Sequence, residues 1–311
     1  MEIVEYNDID PMWAFNLSLL ALDFPFTPEH AAHIRRTDQR PFPCLAVYAV
    51  EDDIVMGQVG VFRLPMITTE GREDLGGIWA VSTHPQHARR GVASRLMGEA
   101  HARMREAGLR FSTLGTSRYR VAYKLYQRHG YEDMQVLGTA LARWETALQS
   151  TRLRAERPDS GGFDFVEKVF ETVATDYLGF AWRYTPFARL RDNVSLEDIW
   201  ILWEGDQPIG YALTHGDKTT LKISDLLLRR GVDAVEAVAA VVSGVKTSYV
   251  QVRVSRPMDI ASLRRAGYHV AHPDWGAFML KPLHPEVSVE DVRRLLGIGT
   301  DRFLISWLDM T

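Results

Sequence analysis

The chain has 311 residues, 46% of them hydrophobic, which is enough for one large or two ordinary domains. A formal net charge of −4 and a pI near 6.2 argue against a nucleic-acid-binding protein, because such proteins usually present a basic face. The one cysteine, Cys44, excludes an intrachain disulfide, and the sequence has neither the pattern of a signal peptide nor the ~20 apolar residues of a membrane span. We therefore predict a cytoplasmic protein.

A strand, two short helices and a hairpin are predicted for the start of the chain. Residues 2–5 favour a strand. Asp10-Pro11 and Thr27-Pro28 each place a capping residue before a proline, which is typical of a helix start. Two apolar segments, residues 44–50 and 55–64, are joined by acidic residues and predict an antiparallel hairpin.

The next segment combines a strand, a basic loop and a helix. Residues 65–76 are polar and are expected to form a loop, and the apolar residues 77–83 predict a strand. A basic loop with Gly91 follows, and apolar residues at helical spacing predict a helix that ends at Gly108. The free N–H groups and the dipole of a helix start favour an anion, and glycine lets a phosphate approach the backbone. A solvated basic loop before an ordinary helix is the alternative that the loop alone leaves open.

Two motifs follow each other here. The first is the loop Ala88-Arg89-Arg90-Gly91-Val92-Ala93, and the second runs from Ala122 to Tyr131 with Leu125, Tyr126 and Gly130 at fixed places. In this order they resemble the GCN5-related N-acetyltransferases, the GNAT family. That family holds the coenzyme A pyrophosphate with Gln/Arg-x-x-Gly-x-Gly/Ala and ends its core with Ala-x-x-Leu-Tyr-x-x-x-Gly-Phe/Tyr. The sequence departs from the first pattern at Ala88.

The second half of the chain resembles a diverged repeat of the first. The basic loop recurs as Arg229-Arg230-Gly231, and the end of the second motif recurs as Gly267-Tyr268. Each repeat follows its first copy after nearly the same number of residues, which argues for a tandem duplication. The elements predicted around them are a hairpin over 199–213, strands over 221–228 and 249–254, and helices over 233–245 and 260–266. Asp233 stands where the first copy has Ala93, so we expect it to cap its own helix and to repel a pyrophosphate. We predict that the second copy does not bind coenzyme A.

We predict an α/β (α+β) protein with tandem GNAT folds, each a mixed, mostly antiparallel central sheet flanked by helices. The predicted division is an N-terminal GNAT domain (1–145) closed by strands over 134–144, a linker (146–162), a degenerate GNAT-like domain (163–284) and an extension (285–311). The extension is expected to contain a helix over 289–296 and a strand over 303–308 that closes the second sheet.

A tandem pair with the intact loop first resembles the enhanced-intracellular-survival (Eis-like) acetyltransferases without their sterol-carrier-like domain. A mycothiol-synthase-like pair, in which the second copy is active, is the alternative.

The resemblance implies direct transfer of an acetyl group from acetyl-coenzyme A to a primary amine. It implies that Tyr126 is the general acid that protonates the leaving thiolate, whereas a core tyrosine is the structural alternative. The residues implied in cofactor binding are Trp79, Ala80, Val81, Thr83, Ala88, Arg89, Arg90, Gly91, Val92, Ala93, Ser94 and Tyr119.

The general base and the acceptor stay open. Candidates for the base are His84, Glu73, Asp74, a water chain and the C-terminal carboxylate of Thr311. The resemblance places Trp13, Phe24 and Phe26 beside the acceptor groove, although such residues are more often core. The histidine pairs 30/33 and 84/87 lack a third ligand, so we predict no metal.

The expected partner is a small-molecule or protein amine, with no nucleic acid and no membrane, and homo-oligomerisation stays open. A catalytically weak coenzyme A sensor or interaction module is the alternative function, because Ala88 departs from the motif and the base is unassigned.

Overall fold

The structure, a computed structural model, describes residues 1–38, 40–158, 162–179 and 194–305. Two β-sheets dominate it, and each carries helices on its faces. The helices are α1 (Pro11–Leu22), α2 (Pro28–Thr37), α3 (Val92–Glu106), α4 (Val121–Arg128), α5 (Trp144–Ala147), α6 (Gly162–Ala174), α7 (Ala234–Ser243), α8 (Pro257–Arg265) and α9 (Val289–Leu296). The two predicted helix starts after Asp10 and Thr27 are confirmed, since each side chain accepts a backbone N–H of the first turn.

The first sheet contains most strands of the N-terminal half. Its order is β1 (Glu2–Glu5), β2 (Pro41–Glu51), β3 (Ile54–Thr68), β4 (Gly71–Thr83), β5 (Phe111–Ser117), β15 (Gly276–Pro282) and β6 (Glu132–Asp133). Along this path β4 and β5 are parallel, and the other neighbours are antiparallel. The predicted mixed, mostly antiparallel sheet is therefore confirmed.

The second sheet repeats this arrangement. Its order is β14 (His269–Ala271), β7 (Gly138–Arg143), β13 (Tyr249–Val254), β12 (Thr220–Leu228), β11 (Gln207–Gly216), β10 (Ile199–Glu204) and β8 (Arg154–Glu156). Again one neighbouring pair, β12 with β13, is parallel. The strand β8 lies within the segment that was predicted to be a linker, and it forms an edge of this sheet.

The two halves exchange one strand each. β7 lies between β13 and β14 in the second sheet, and β15 lies between β5 and β6 in the first. The prediction that residues 134–144 close the first sheet is therefore wrong. An apolar strand pattern indicates that a segment pairs but does not identify its partner, so the exchange was not visible in the sequence.

Two further predictions are corrected. Residues 65–76 do not form a polar loop, because β3 and β4 continue through them as one long hairpin in which Leu64, Met66 and Leu75 are buried. The C-terminal strand is β16 (Phe303–Leu304), and it joins the first sheet instead of the second, through β9 (Leu178–Gly179). Residues 306–308 of the predicted strand lie outside the described residues.

Candidate active site

A cleft opens where the parallel strands β4 and β5 separate. They pair only at Gly76 with Ser112 and at Gly77 with Thr113. Just beyond, β4 has a bulge between its pairings with Gln58 and Gly60 of β3, and Ala80 in this bulge has a φ of 47°. A bulge bends its strand, so the end of β4 leaves β5. The backbone of residues 79–83 then faces an opening without a neighbouring strand on that side.

The start of α3 forms one end of this cleft. Gly91 is its N-cap with a φ of 79°, and a Cβ built there would meet no atom within 4 Å. Among the described residues the N–H groups of Val92, Ala93 and Ser94 have no acceptor, and the Arg95 N–H is the first to bond, to the Gly91 carbonyl at 3.0 Å. These free N–H groups and the open space fit a phosphate group.

Exposed cations flank the same helix start. Arg89 and Arg90 lie in the loop directly before it, and both side chains are exposed. No side chain caps the helix, so its positive end stays available to a ligand. The residues of this loop therefore fit the pyrophosphate of coenzyme A.

Tyr126 is buried beside the cleft. It is 7% exposed and belongs to the apolar cluster that contains Val92 of α3 and Leu114 of β5. Its ring lies 6.2 Å from that of Tyr131, edge to face. Burial raises the pKa of Tyr126 to about 12, and Arg120 opposes this shift. Its hydroxyl has no hydrogen-bond partner in the described part of the chain and is protonated at neutral pH, as a proton donor must be.

The candidate bases differ in their surroundings. Glu73 holds Arg110 with two bonds of 2.6 Å, and Asp74 lies 3.9 Å from Arg63. Both carboxylates face the far end of the β3–β4 hairpin, about 20 Å from the β4 bulge at the usual rise per strand residue, so the cleft does not bring them together with Tyr126. Thr311 lies outside the described residues.

His84 is half-buried where β4 ends. Its backbone N–H donates to the Met56 carbonyl at 2.8 Å, and its Nδ1 accepts the Gln86 N–H at 3.3 Å. The ring meets that of His87 edge to face at 5.5 Å. Within the described ranges no three His, Cys, Asp or Glu side chains come together as a metal site would require.

An aromatic wall lies on the other side of β4. The Trp79 ring stacks on Phe62 at 5.0 Å and meets the edge of Phe26 at 5.2 Å. It covers Gly60, where a Cβ would lie 2.2 Å from Trp79 Nε1. The sequence placed Trp79 with the cofactor through its backbone but did not identify its side chain, Gly60 and Phe62 as one aromatic unit.

The remaining predicted residues differ in their exposure. Phe26 is buried against Trp79, whereas Trp13 and Phe24 are 46% and 42% exposed. Tyr119 is 87% exposed in the turn between β5 and α4. The Ser94 hydroxyl lies 3.2 Å from His129 Nε2, a contact that the sequence did not predict.

The corresponding cleft in the second half is filled. β12 and β13 pair from Thr220 with Tyr249 to Ile223 with Val252 and then separate. The opening between them holds a cavity of only about 20 Å³, whose lining includes Leu304 and Ile305.

The helix at that second cleft is capped by its own chain. Asp233 is the N-cap of α7, and its Oδ1 accepts the Val235 N–H at 2.9 Å and the Ser262 hydroxyl. The prediction that Asp233 caps its own helix is confirmed. A carboxylate thus occupies the position that the first half leaves open.

No helix among the described residues is both long and apolar enough to cross a membrane.

Residues 13–134 match the family model of the acetyltransferase (GNAT) domain. A GCN5-related N-acetyltransferase from Anabaena variabilis has the same fold at 14% identity, with a TM-score of 0.68 over 91% of this chain and 73% of that one. Eis1 from Mycobacterium abscessus is 15% identical, with a TM-score of 0.61 over 91% of this chain and 74% of its own. A GCN5-related N-acetyltransferase from Kribbella flavida is 18% identical, with a TM-score of 0.63 over 90% and 70%. No curated protein matches the chain in sequence.

Proposed function

This chain carries an acetyltransferase domain of the GNAT family, and we propose that it transfers an acetyl group from acetyl-coenzyme A directly to a primary amine. The observation that carries this proposal is the open cleft between β4 and β5, which ends at the free N–H groups of Val92, Ala93 and Ser94. A long thioester with a pyrophosphate at its far end matches a cleft with an anion site at one end.

The coenzyme supplies an activated acetyl thioester. The backbone of residues 79–83 binds its pantetheine arm as a neighbouring strand would, because the bulge leaves that edge of β4 unpaired. The N–H groups at the start of α3, with Arg89 and Arg90, hold the pyrophosphate. Gly91 contributes by leaving the approach to the backbone open.

Tyr126 gives its proton to the thiolate that leaves. Its raised pKa, about 12, ensures that the proton is present before the reaction. The Nδ1 lone pair of His84 already accepts the Gln86 N–H, so deprotonation of the amine at this atom requires that bond to break. We therefore propose that the amine loses its proton through water, with His84 as the side chain closest to this role.

A thiol-release assay with acetyl-coenzyme A and a panel of amines tests the proposal. The panel contains aminoglycosides, polyamines, amino acids and a lysine peptide, and a reaction without amine gives the background. We expect amine-dependent release that Gly91→Glu reduces when acetyl-coenzyme A is not saturating. Coenzyme A binding without release for any amine would contradict the proposal and favour a coenzyme-binding module, the alternative suggested by Ala88.

A further inference from the structure

A group of basic side chains lies between α3 and the end of α4. His129 Nε2 is 3.2 Å from Ser94 Oγ, and its ring centroid is 6.0 Å from that of His101. Lys281 comes from the exchanged strand β15, and its Nζ lies 3.0 Å from the position that a Cβ of Gly130 would occupy. We call Arg105, Arg128, His129 and Lys281 the basic cluster.

The basic cluster has no compensating negative charge. Burial and then Lys281 and Arg128 lower the pKa of His129, and burial and then Arg105 lower that of Lys281. The charged groups acting on these two side chains are thus all cations. In the part of the chain that the structure describes, Lys281 makes no hydrogen bond or ion pair, although it is half-buried.

A half-buried ammonium loses part of its hydration, and only an anion or strong acceptor replaces it. The described chain supplies neither to Lys281. The basic cluster is therefore arranged as a receptor for an anion.

The cluster is continuous with the start of α3. Ser94 belongs to the first helical turn, whose N–H groups are free, and it contacts His129 directly. Gly98 follows one turn later, and a Cβ built there would meet no atom within 4 Å. The surface of α3 between its first turn and the basic cluster is therefore unobstructed at Gly98.

We propose that the basic cluster binds the 3′-phosphate of coenzyme A, with Lys281 as its principal contact. The inference rests on the proposed function, because the pyrophosphate must bind at Val92–Ser94. In coenzyme A the 3′-phosphate is on the ribose attached to the pyrophosphate, so it lies one sugar ring from that anchor. A free phosphate ion has the same chemistry and is the alternative ligand. Through β15, the second half of the chain then contributes to cofactor binding in the first.

Titration calorimetry with coenzyme A and with 3′-dephospho-coenzyme A tests this inference. We expect the wild type to bind coenzyme A at least about tenfold more tightly, as a charge-assisted hydrogen bond would give. Lys281→Met should remove most of this difference and leave the affinity for the dephospho compound within about twofold. Lys281→Arg should retain it. Lys218→Met, at an exposed turn of the second half, is the matched control and should bind like the wild type.

The outcomes separate the two proposals. Equal wild-type affinity for the two ligands would overturn the 3′-phosphate site and leave the proposed function standing, whereas failure to bind either ligand would overturn both. Inorganic phosphate should weaken the binding of coenzyme A more than that of the dephospho compound, which competes with phosphate at the start of α3 alone. Phosphate that binds without weakening coenzyme A would show an anion site unrelated to the cofactor. The wild-type comparison needs no variant, so it stands even if Lys281→Met fails to fold.

Discussion

The two clefts of this protein lie between strands in the same arrangement, but the first is open and the second is filled. In the first, β4 and β5 separate around an open space, and the helix start beyond it is uncapped. In the second, Leu304 and Ile305 line a cavity of about 20 Å³, and Asp233 caps the helix. The separation of two parallel strands is thus a property of the fold, and what fills it decides whether a ligand can enter.

The helix that follows β5 and the helix that follows β13 also differ in how accessible their first residues are. In the second half Arg256, at the start of α8, is 2% exposed and holds Asp259 at 2.7 and 2.8 Å. In the first half Tyr119, in the turn before α4, and Val121, the first residue of α4, are 87% and 91% exposed. A buried ion pair fixes one helix start, whereas the other is left accessible at the mouth of the cleft.

The largest expected effect concerns Tyr126. Tyr126→Phe should lower turnover by roughly 10²–10⁴-fold, the usual contribution of a positioned acid, while coenzyme A affinity is retained. Steady-state kinetics and calorimetry measure the two quantities separately. Tyr268→Phe is the matched control, because Tyr268 is a buried tyrosine of the second half. Unchanged turnover in Tyr126→Phe would show that water or another group protonates the thiolate.

The next effect concerns the two glycine loops. Calorimetry should find one coenzyme A site per chain, and Gly91→Glu should weaken it roughly five- to several hundredfold, since a like charge near 4 Å costs about 1–4 kcal/mol. Gly231 has a similar φ of 86° and equally open surroundings, so Gly231→Glu is a close control. A second site that survives Gly91→Glu would contradict the comparison between the clefts.

The features of the clefts that depend on residues close together in the chain could be predicted from the sequence. Residues at helical or strand spacing predicted most elements, and the place of Asp233 predicted its capping role, because a cap depends on neighbours in the chain. The β4 bulge and the exchanged strands could not be predicted, since they depend on which distant strand supplies each hydrogen bond. Lys281 was missed for the same reason, because its contact with Gly130 exists only after β15 enters the first sheet.

A pH effect of intermediate size is expected from His101, which lies on the buried face of α3. The corresponding helix of the second half, α7, buries mainly alanine and valine. Burial, and then Lys281, lowers the pKa of His101 to about 3. The unfolded chain takes up this proton near pH 6.5, so the contribution is fully present at neutral pH and is lost as the pH falls from 6.5 toward 3.

Urea unfolding at pH 6.5 and pH 4.5 measures this loss. The wild type should lose about 2 kcal/mol more unfolding free energy than His101→Gln over that interval. His269→Gln, at an exposed position, should behave like the wild type. An equal loss in wild type and His101→Gln would show that the histidine is not buried in its neutral form.

The smallest effect is expected from the cap of the second cleft. Asp233→Ala should lower the unfolding free energy by about 1 kcal/mol, because the Val235 N–H loses its acceptor. It should not create a coenzyme A site, since Leu304 and Ile305 still occupy the cleft. Thermal unfolding with and without coenzyme A tests both statements, with Asp206→Ala at an exposed turn as control. A ligand-induced stabilisation that persists in Asp233→Ala combined with Gly91→Glu would contradict the second.

The exchange of β7 and β15 also determines when the protein can finish folding during its synthesis. β5 leaves the ribosome about 160 residues before its partner β15, a delay of roughly 10–30 s at ordinary translation rates. During that interval the first sheet has an unpaired edge at β5, and such edges recruit other strands. A nascent chain interrupted before residue 276 therefore has an incomplete first sheet, and its unpaired β5 edge favours chaperone binding until β15 arrives.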